Sequence, residues 1–171
     1  MEPSNSKGGK TAFRCAAAVV ALLTAFLVFI LVYSVALSIR WEDFSMELNK
    51  SLTVSERNGE TVCSTYHGRR AGVTEKDIRT VCTLISRGTV KGDRKPENAK
   101  EKLSLKFNNG EVLNVYGTEK DSAYIEYSGN EKSYRFLVGL SAGVDDIMET
   151  LESRNESRGK FVEIHKENSE K

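Results

Sequence analysis

Between Val62 and Arg70 the chain reads VCSTYHGRR, which sets a thiol, Cys63, four residues before an imidazole, His67, with the guanidiniums of Arg69 and Arg70 directly behind. Three chemistries draw on such a set. A thiol nucleophile needs a neighbouring base, usually histidine, and a third group to orient the ring. A structural zinc needs four nitrogen or sulfur ligands, commonly in close pairs of the C-x2–4-C kind. A disulfide needs only a second cysteine and an oxidising compartment.

The spacing argues against the first two. On a strand, residues four apart share a face but stand about 13 Å from each other, too far for a proton to pass. No aspartate or asparagine is placed by spacing to orient the ring, and no known catalytic signature surrounds Cys63. For zinc, the chain beyond its apolar run offers Cys63, Cys82, His67 and His165, with no close cysteine pair. The residues therefore predict no catalytic set, no metal and no cofactor. The alternative kept open is a thiol-dependent enzyme or redox protein using Cys63. In an exported body the expected pairing is Cys63 with Cys82, a staple worth about 3 kcal/mol by the chain-entropy argument for a loop of about twenty residues. In a reducing cytosol Cys82 would instead be an ordinary buried thiol. Arg69 and Arg70, with Tyr124 and Tyr127, are the residues that could present a ligand surface. Clustered basic side chains would be needed for nucleic acid. From Trp41 onward the chain carries 21 basic against 23 acidic side chains, interspersed, a net of −2, so no nucleic-acid partner is expected.

The compartment is set by the first forty residues. From Cys15 to Ile39 no side chain is charged. As a helix those 25 residues span roughly 37 Å, enough to cross a hydrocarbon core of about 30 Å. Residues 1–14 are then a short basic cytoplasmic tail, 15–39 a transmembrane helix, 41–153 an extracytoplasmic domain and 154–171 a charged, disordered tail. Lys7, Lys10 and Arg14 precede the run, and Arg40 and Lys50 follow it, a bias toward a cytoplasmic N-terminus. The run is longer than the apolar core of a removable signal, so a retained signal-anchor is expected. Secretion after cleavage near Ala36, at Ser34-Val35-Ala36, is the alternative. The partners implied are the lipid bilayer and a membrane or envelope protein.

Behind the anchor, period-2 and period-3.6 patterns alternate. FSMEL (44–48) reads as a strand, joined through Asn58-Gly59 to ETVCSTY. KLSLKF and EVLNVYG flank Asn108-Asn109-Gly110, and AYIEY and SYRFLV flank Ser128-Gly129-Asn130-Glu131. TEKDIRTVCTLIS carries Ile78, Val81, Cys82 and Ile85 on one helical face behind a Thr74/Asp77 capping pair. Val144, Ile147, Met148 and Leu151 repeat that spacing. The charged stretch 87–102 reads as a loop, and FVEI (161–164) as a short edge strand. The expectation is an α+β fold: a membrane helix, then a small antiparallel sheet of about six strands in three hairpins, packed by two helices. Asn49-Lys50-Ser51 and Asn155-Glu156-Ser157 match the glycosylation sequon.

From Gly72 to Ser153 the organisation resembles small single-pass extracytoplasmic domains of Gram-positive bacteria, which have one N-terminal anchor, a helix like GVTEKDIRTVCTLIS, and strands like KLSLKFNNGEVLNVYG and SYRFLV. The resemblance implies a non-enzymatic, envelope-facing domain that binds a protein or envelope component. It transfers no catalytic or binding residue.

Overall fold

In the computed structural model, which describes the backbone of residues 7–58, 62–118, 121–130 and 132–169, the chain divides into two units, 1–39 and 40–171. A single helix, α1 (Lys7–Arg57), contributes to both. In the first unit most of its large apolar side chains, Leu22, Phe26, Phe29 and Leu31 among them, are uncovered by protein. Among the described residues α1 is the helix long and apolar enough to cross a membrane.

The second unit is α+β: a seven-stranded, wholly antiparallel sheet with helices on one face. The strands are β1 (Cys63–Tyr66), β2 (Arg69–Arg70), β3 (Thr89–Gly92), β4 (Lys100–Lys106), β5 (Val112–Gly117), β6 (Ser122–Ser128) and β7 (Ser133–Gly139), in spatial order β2-β1-β4-β5-β6-β7-β3. The other helices are α2 (Glu75–Ser86) and α3 (Val144–Ser169).

Register shows which side chains share a face. Tyr66 pairs with Leu103, Leu103 with Val115, Val115 with Ile125, and Ile125 with Phe136. With Leu105, Leu113, Tyr127, Tyr134 and Val138 they form a continuous apolar face, nearly all of it buried. Phe44 of α1 is fully buried against it, its ring 5.7 Å from those of Tyr127 and Phe136 and 5.9 Å from Tyr134. Leu48 and Leu52 follow at one-turn intervals and are also buried. Arg79 of α2 grips Glu56 of α1 through two contacts of 2.5 and 2.7 Å. Asn155 of α3 donates to Asp77 of α2 at 2.9 Å. Those ties set α2 between α1 and α3 on the apolar face.

The connection from β2 to β3 runs from one sheet edge to the other, and α2 makes that crossing. The return from β3 to β4 crosses the opposite face as the segment 93–99. Lys95 is its anchor. Its ammonium lies 3.4 Å from the Tyr116 ring centroid and 3.7 Å from Glu126 Oε2. The charged stretch expected to be a loop thus contains β3 and a strap over the outer face.

Several expectations change here. FSMEL is helical, because α1 continues through it; Phe44 and Leu48 are four apart, a spacing common to both periods. The hairpin expected at Asn58-Gly59 does not form from 44–48, and Gly59 lies outside the described residues. The hairpin at β1 is instead β1–β2. The turn is His67-Gly68, with φ of 48° and 73°, the positive-φ pair that a tight two-residue connection requires. The tail from Arg154, read as disordered, continues α3 to Ser169, and FVEI lies within that helix. The hairpins β4–β5 and β6–β7 and the capped start of α2 stand as read.

Candidate functional site

Where β1 and β2 leave the sheet edge, the chain is fixed from three sides. Ala71 N–H donates to Ser64 O at 3.0 Å, extending the hairpin ladder by one rung. Gly72 is then clamped by α3: its N–H donates to Glu152 Oε1 at 3.0 Å and its carbonyl accepts from Asn155 at 3.1 Å. Thr74 caps α2, with its backbone N–H donating to Asp77 Oδ2 and its hydroxyl accepting from Asp77 N–H. Asp77 Oδ2 also accepts from the Thr74 hydroxyl at 2.6 Å and from Asn155. Burial alone would raise the Asp77 carboxyl, but the Thr74 and Asn155 hydrogen bonds and the charge of Arg158 hold it below its usual value.

These ties frame a cleft of about 840 Å³. Its apolar floor comes from Val62, Ala71 and Ile78, all buried. Cys63, Arg70 and Arg158 stand at its walls and are exposed. The cleft joins one residue pair singled out by sequence, Cys63 and Arg70, to two that sequence reasoning missed. In the sequence Asn155 stands out only as part of a sequon, and Arg158 falls in the stretch that reads as a disordered tail. Arg69 lies beside a smaller cleft with Glu152 and Glu156.

The other sequence candidates do not converge. Cys63 and Cys82 are both free thiols, so the expected staple is absent. The reason is geometric. Along β1, Ser64 and Tyr66 turn toward the helices, while Cys63 is exposed and pairs in register with exposed Lys106. Cys82 is 1% exposed under α2, on the helical side. Burial pushes its thiol up to about 12, so it stays protonated and unreactive at neutral pH.

His67 does not serve Cys63. Its Nε2 lies 3.2 Å from Asp145 Oδ1, in the first turn of α3. The same carboxylate accepts from the Tyr66 hydroxyl at 3.0 Å and pairs with Lys102 Nζ at 3.1 Å. Burial works to raise the Asp145 carboxyl, and these partners hold it below its ordinary value. Tyr66 is pushed the other way, by burial first and by its bond to that carboxylate second. The cluster fastens α3 to the β1–β2 turn and to β4.

Tyr124 and Tyr127 cannot form one ligand surface, because they point to opposite faces and each is 2% exposed. Tyr124 lies beneath Lys95. Tyr127 lies under α1, where its hydroxyl donates to Glu111 Oε2 at 2.6 Å and sits 3.2 Å from the Ser51 hydroxyl, which also donates to Glu111. Trp41 has its ring centroid 5.0 Å from those of Phe44 and Phe136. Both sequons are helical: Ser51 is committed to Glu111, and the Asn155 amide to Gly72 and Asp77. Among the described residues no three His, Cys, Asp or Glu side chains group as metal ligands.

No known protein family matches the sequence, and no curated protein or solved structure is significantly similar to it.

Proposed function

We propose that the chain is a single-pass membrane protein, N-terminus cytoplasmic, whose body from Arg40 onward stands outside and works by binding a protein or envelope component rather than by catalysis. The observation that carries this reading is the uncovered apolar surface of α1, where Leu22 is 72% and Phe29 66% exposed. In water, apolar surface costs about 25 cal/mol per Å². A bilayer removes that cost. The resemblance to small extracytoplasmic domains of Gram-positive bacteria supports the same orientation. Binding is favoured over thiol catalysis because β1 separates Cys63 from His67 by four residues, about 13 Å of strand rise, which leaves Cys63 without the adjacent base a nucleophile needs.

Fractionation tests the anchor. The full chain stays in the membrane pellet after carbonate extraction, whereas cleavage near Ala36 would release a smaller soluble product. Photo-crosslinking from positions 69 and 70 in intact cells tests the binding role. A discrete adduct that depends on the folded body supports it, and the absence of any adduct from every surface position tried argues against it.

A further inference from the structure

On the sheet face away from the helices, Tyr116 of β5 and Tyr124 of β6 are register partners, with ring centroids 6.0 Å apart. Glu126 lies two residues along β6 and so shares their face. Lys95 of the strap 93–99 reaches into this set. Its ammonium stands 3.4 Å from the Tyr116 centroid, 5.5 Å from that of Tyr124 and 3.7 Å from Glu126 Oε2. Aromatic faces and a carboxylate gathered around one cation make a cation cage. The carboxylate narrows what the cage prefers. A primary ammonium has N–H groups to donate to Glu126, and a quaternary ammonium has none.

The resident ammonium sits on a lid. None of residues 93–99 is buried, whereas Tyr124 beneath them is 2% exposed. Pro96 and Ala99 close a turn within the strap itself, Ala99 N–H donating to Pro96 O at 3.2 Å. Near its start, Asp93 meets Arg40 at 3.8 Å, and both side chains are exposed. Arg135 Nε flanks the other oxygen of Glu126 at 3.7 Å, so the carboxylate keeps one partner when Lys95 leaves. A short tether presents its ammonium at an effective concentration on the order of millimolar, which is what an outside amine has to outcompete. We propose that Tyr116, Tyr124 and Glu126 form a binding site for a lysine side chain of a partner protein, and that Lys95 holds the site shut until the partner displaces it. The inference rests on the binding reading above and names the group recognised.

A carbodiimide joins a carboxylate to an amine in contact with it, so the amide found at Glu126 reports what fills the cage. The full chain in nanodiscs is treated with carbodiimide and butylamine, the analogue of a lysine side chain. Peptides are read by mass spectrometry, with the exposed Glu42 as reference and unfolding midpoints verifying that each variant is folded. In the parent, Glu126 is joined to Lys95, and butylamine at about 100 mM replaces that amide with its own. If Lys95 fills the cage about nine-tenths of the time, Lys95→Ala raises butylamide formation at Glu126 about tenfold over the parent. Adding Tyr116→Leu removes one ring face and lowers the gain about fivefold. Equimolar choline, which has no N–H, leaves the yield in place. No gain in Lys95→Ala would overturn the proposal, as would a gain that Tyr116→Leu does not reduce or a Lys95 amide that butylamine does not displace. Suppression by choline would make the ligand a quaternary ammonium, such as a lipid headgroup, and overturn the assignment to lysine. A chain that gives photo-adducts from 69 and 70 yet shows no gain at Glu126 removes this site and leaves the binding body standing.

Discussion

Replacing Phe44 with alanine, beside Met46 with alanine, separates a helix from a strand at the start of the body. On a strand, Phe44, Met46 and Leu48 would share one face and lose stability together. On a helix, Phe44 and Leu48 face the sheet and Met46 points away. In the structure Phe44 is fully buried and Met46 is 64% exposed. Truncating a buried phenylalanine costs about 3–5 kcal/mol. Phe44 touches four aromatic rings, those of Trp41, Tyr127, Tyr134 and Phe136, at centroid distances of 5.0 to 5.9 Å, so its cost belongs near the middle of that range, about 4 kcal/mol. Met46→Ala stays within about 0.5 kcal/mol. Urea unfolding of the full chain in detergent, followed by the fluorescence of Trp41, the sole tryptophan, reads both. With a denaturant slope of about 2 kcal/mol per molar, Phe44→Ala lowers the midpoint by about 2 M and Met46→Ala leaves it in place. Comparable losses from the two variants would refute the helical docking of 44–52.

Other substitutions probe single contacts. Burial alone would raise the Glu111 carboxyl, but the Ser51, Tyr127 and Asn109 hydrogen bonds hold it below its ordinary value. Its stabilisation is therefore full above the unfolded-state pKa and fades as pH falls through the lower folded-state pKa. Glu111→Gln costs about 1–3 kcal/mol at pH 7, and urea midpoints measured from pH 7 to pH 3 converge with the parent as pH falls. Gly88→Ala drives a methyl group into the Val138 side chain and to 2.9 Å from the Gly139 carbonyl oxygen; overpacking of this kind costs about 1–3 kcal/mol, read as a lower thermal midpoint. The Tyr134 hydroxyl is buried without a hydrogen-bond partner, so Tyr134→Phe holds or raises the midpoint, by up to about 1 kcal/mol.

Local signals in the sequence were legible wherever the chemistry was short-range. Asn109-Gly110 made the β4–β5 turn, with Gly110 at φ 87°, and Thr74 with Asp77 made the cap of α2. The start of α1's docked half was misread because five residues cannot distinguish i, i+2, i+4 from i, i+4 when the intervening Met46 is also apolar. His67-Gly68 was recognisable as a turn, yet β2 is only two residues long and both are arginines, so no alternation marks it. The cleft was half legible. Arg70 and Cys63 carry conspicuous chemistry, but Asn155 and Arg158 reach it only because α3 continues past Arg154. That continuation has little apolar periodicity, and what ties its start to the body is the Asn155 amide, bonded to Gly72 and Asp77. The thiols were misjudged for a related reason: a strand residue faces one side or the other by register, and Cys63 lies across the sheet from Cys82.

The anchored, outward-facing body is tested most directly by labelling intact cells with a membrane-impermeant maleimide and then extracting the membranes with carbonate. Cys63 is exposed in the body and Cys82 is buried there, so one label is expected on the membrane-retained protein and none on a Cys63→Ser variant. Labelling of Cys63 only after the membrane is permeabilised would place the body in the cytoplasm and contradict the account.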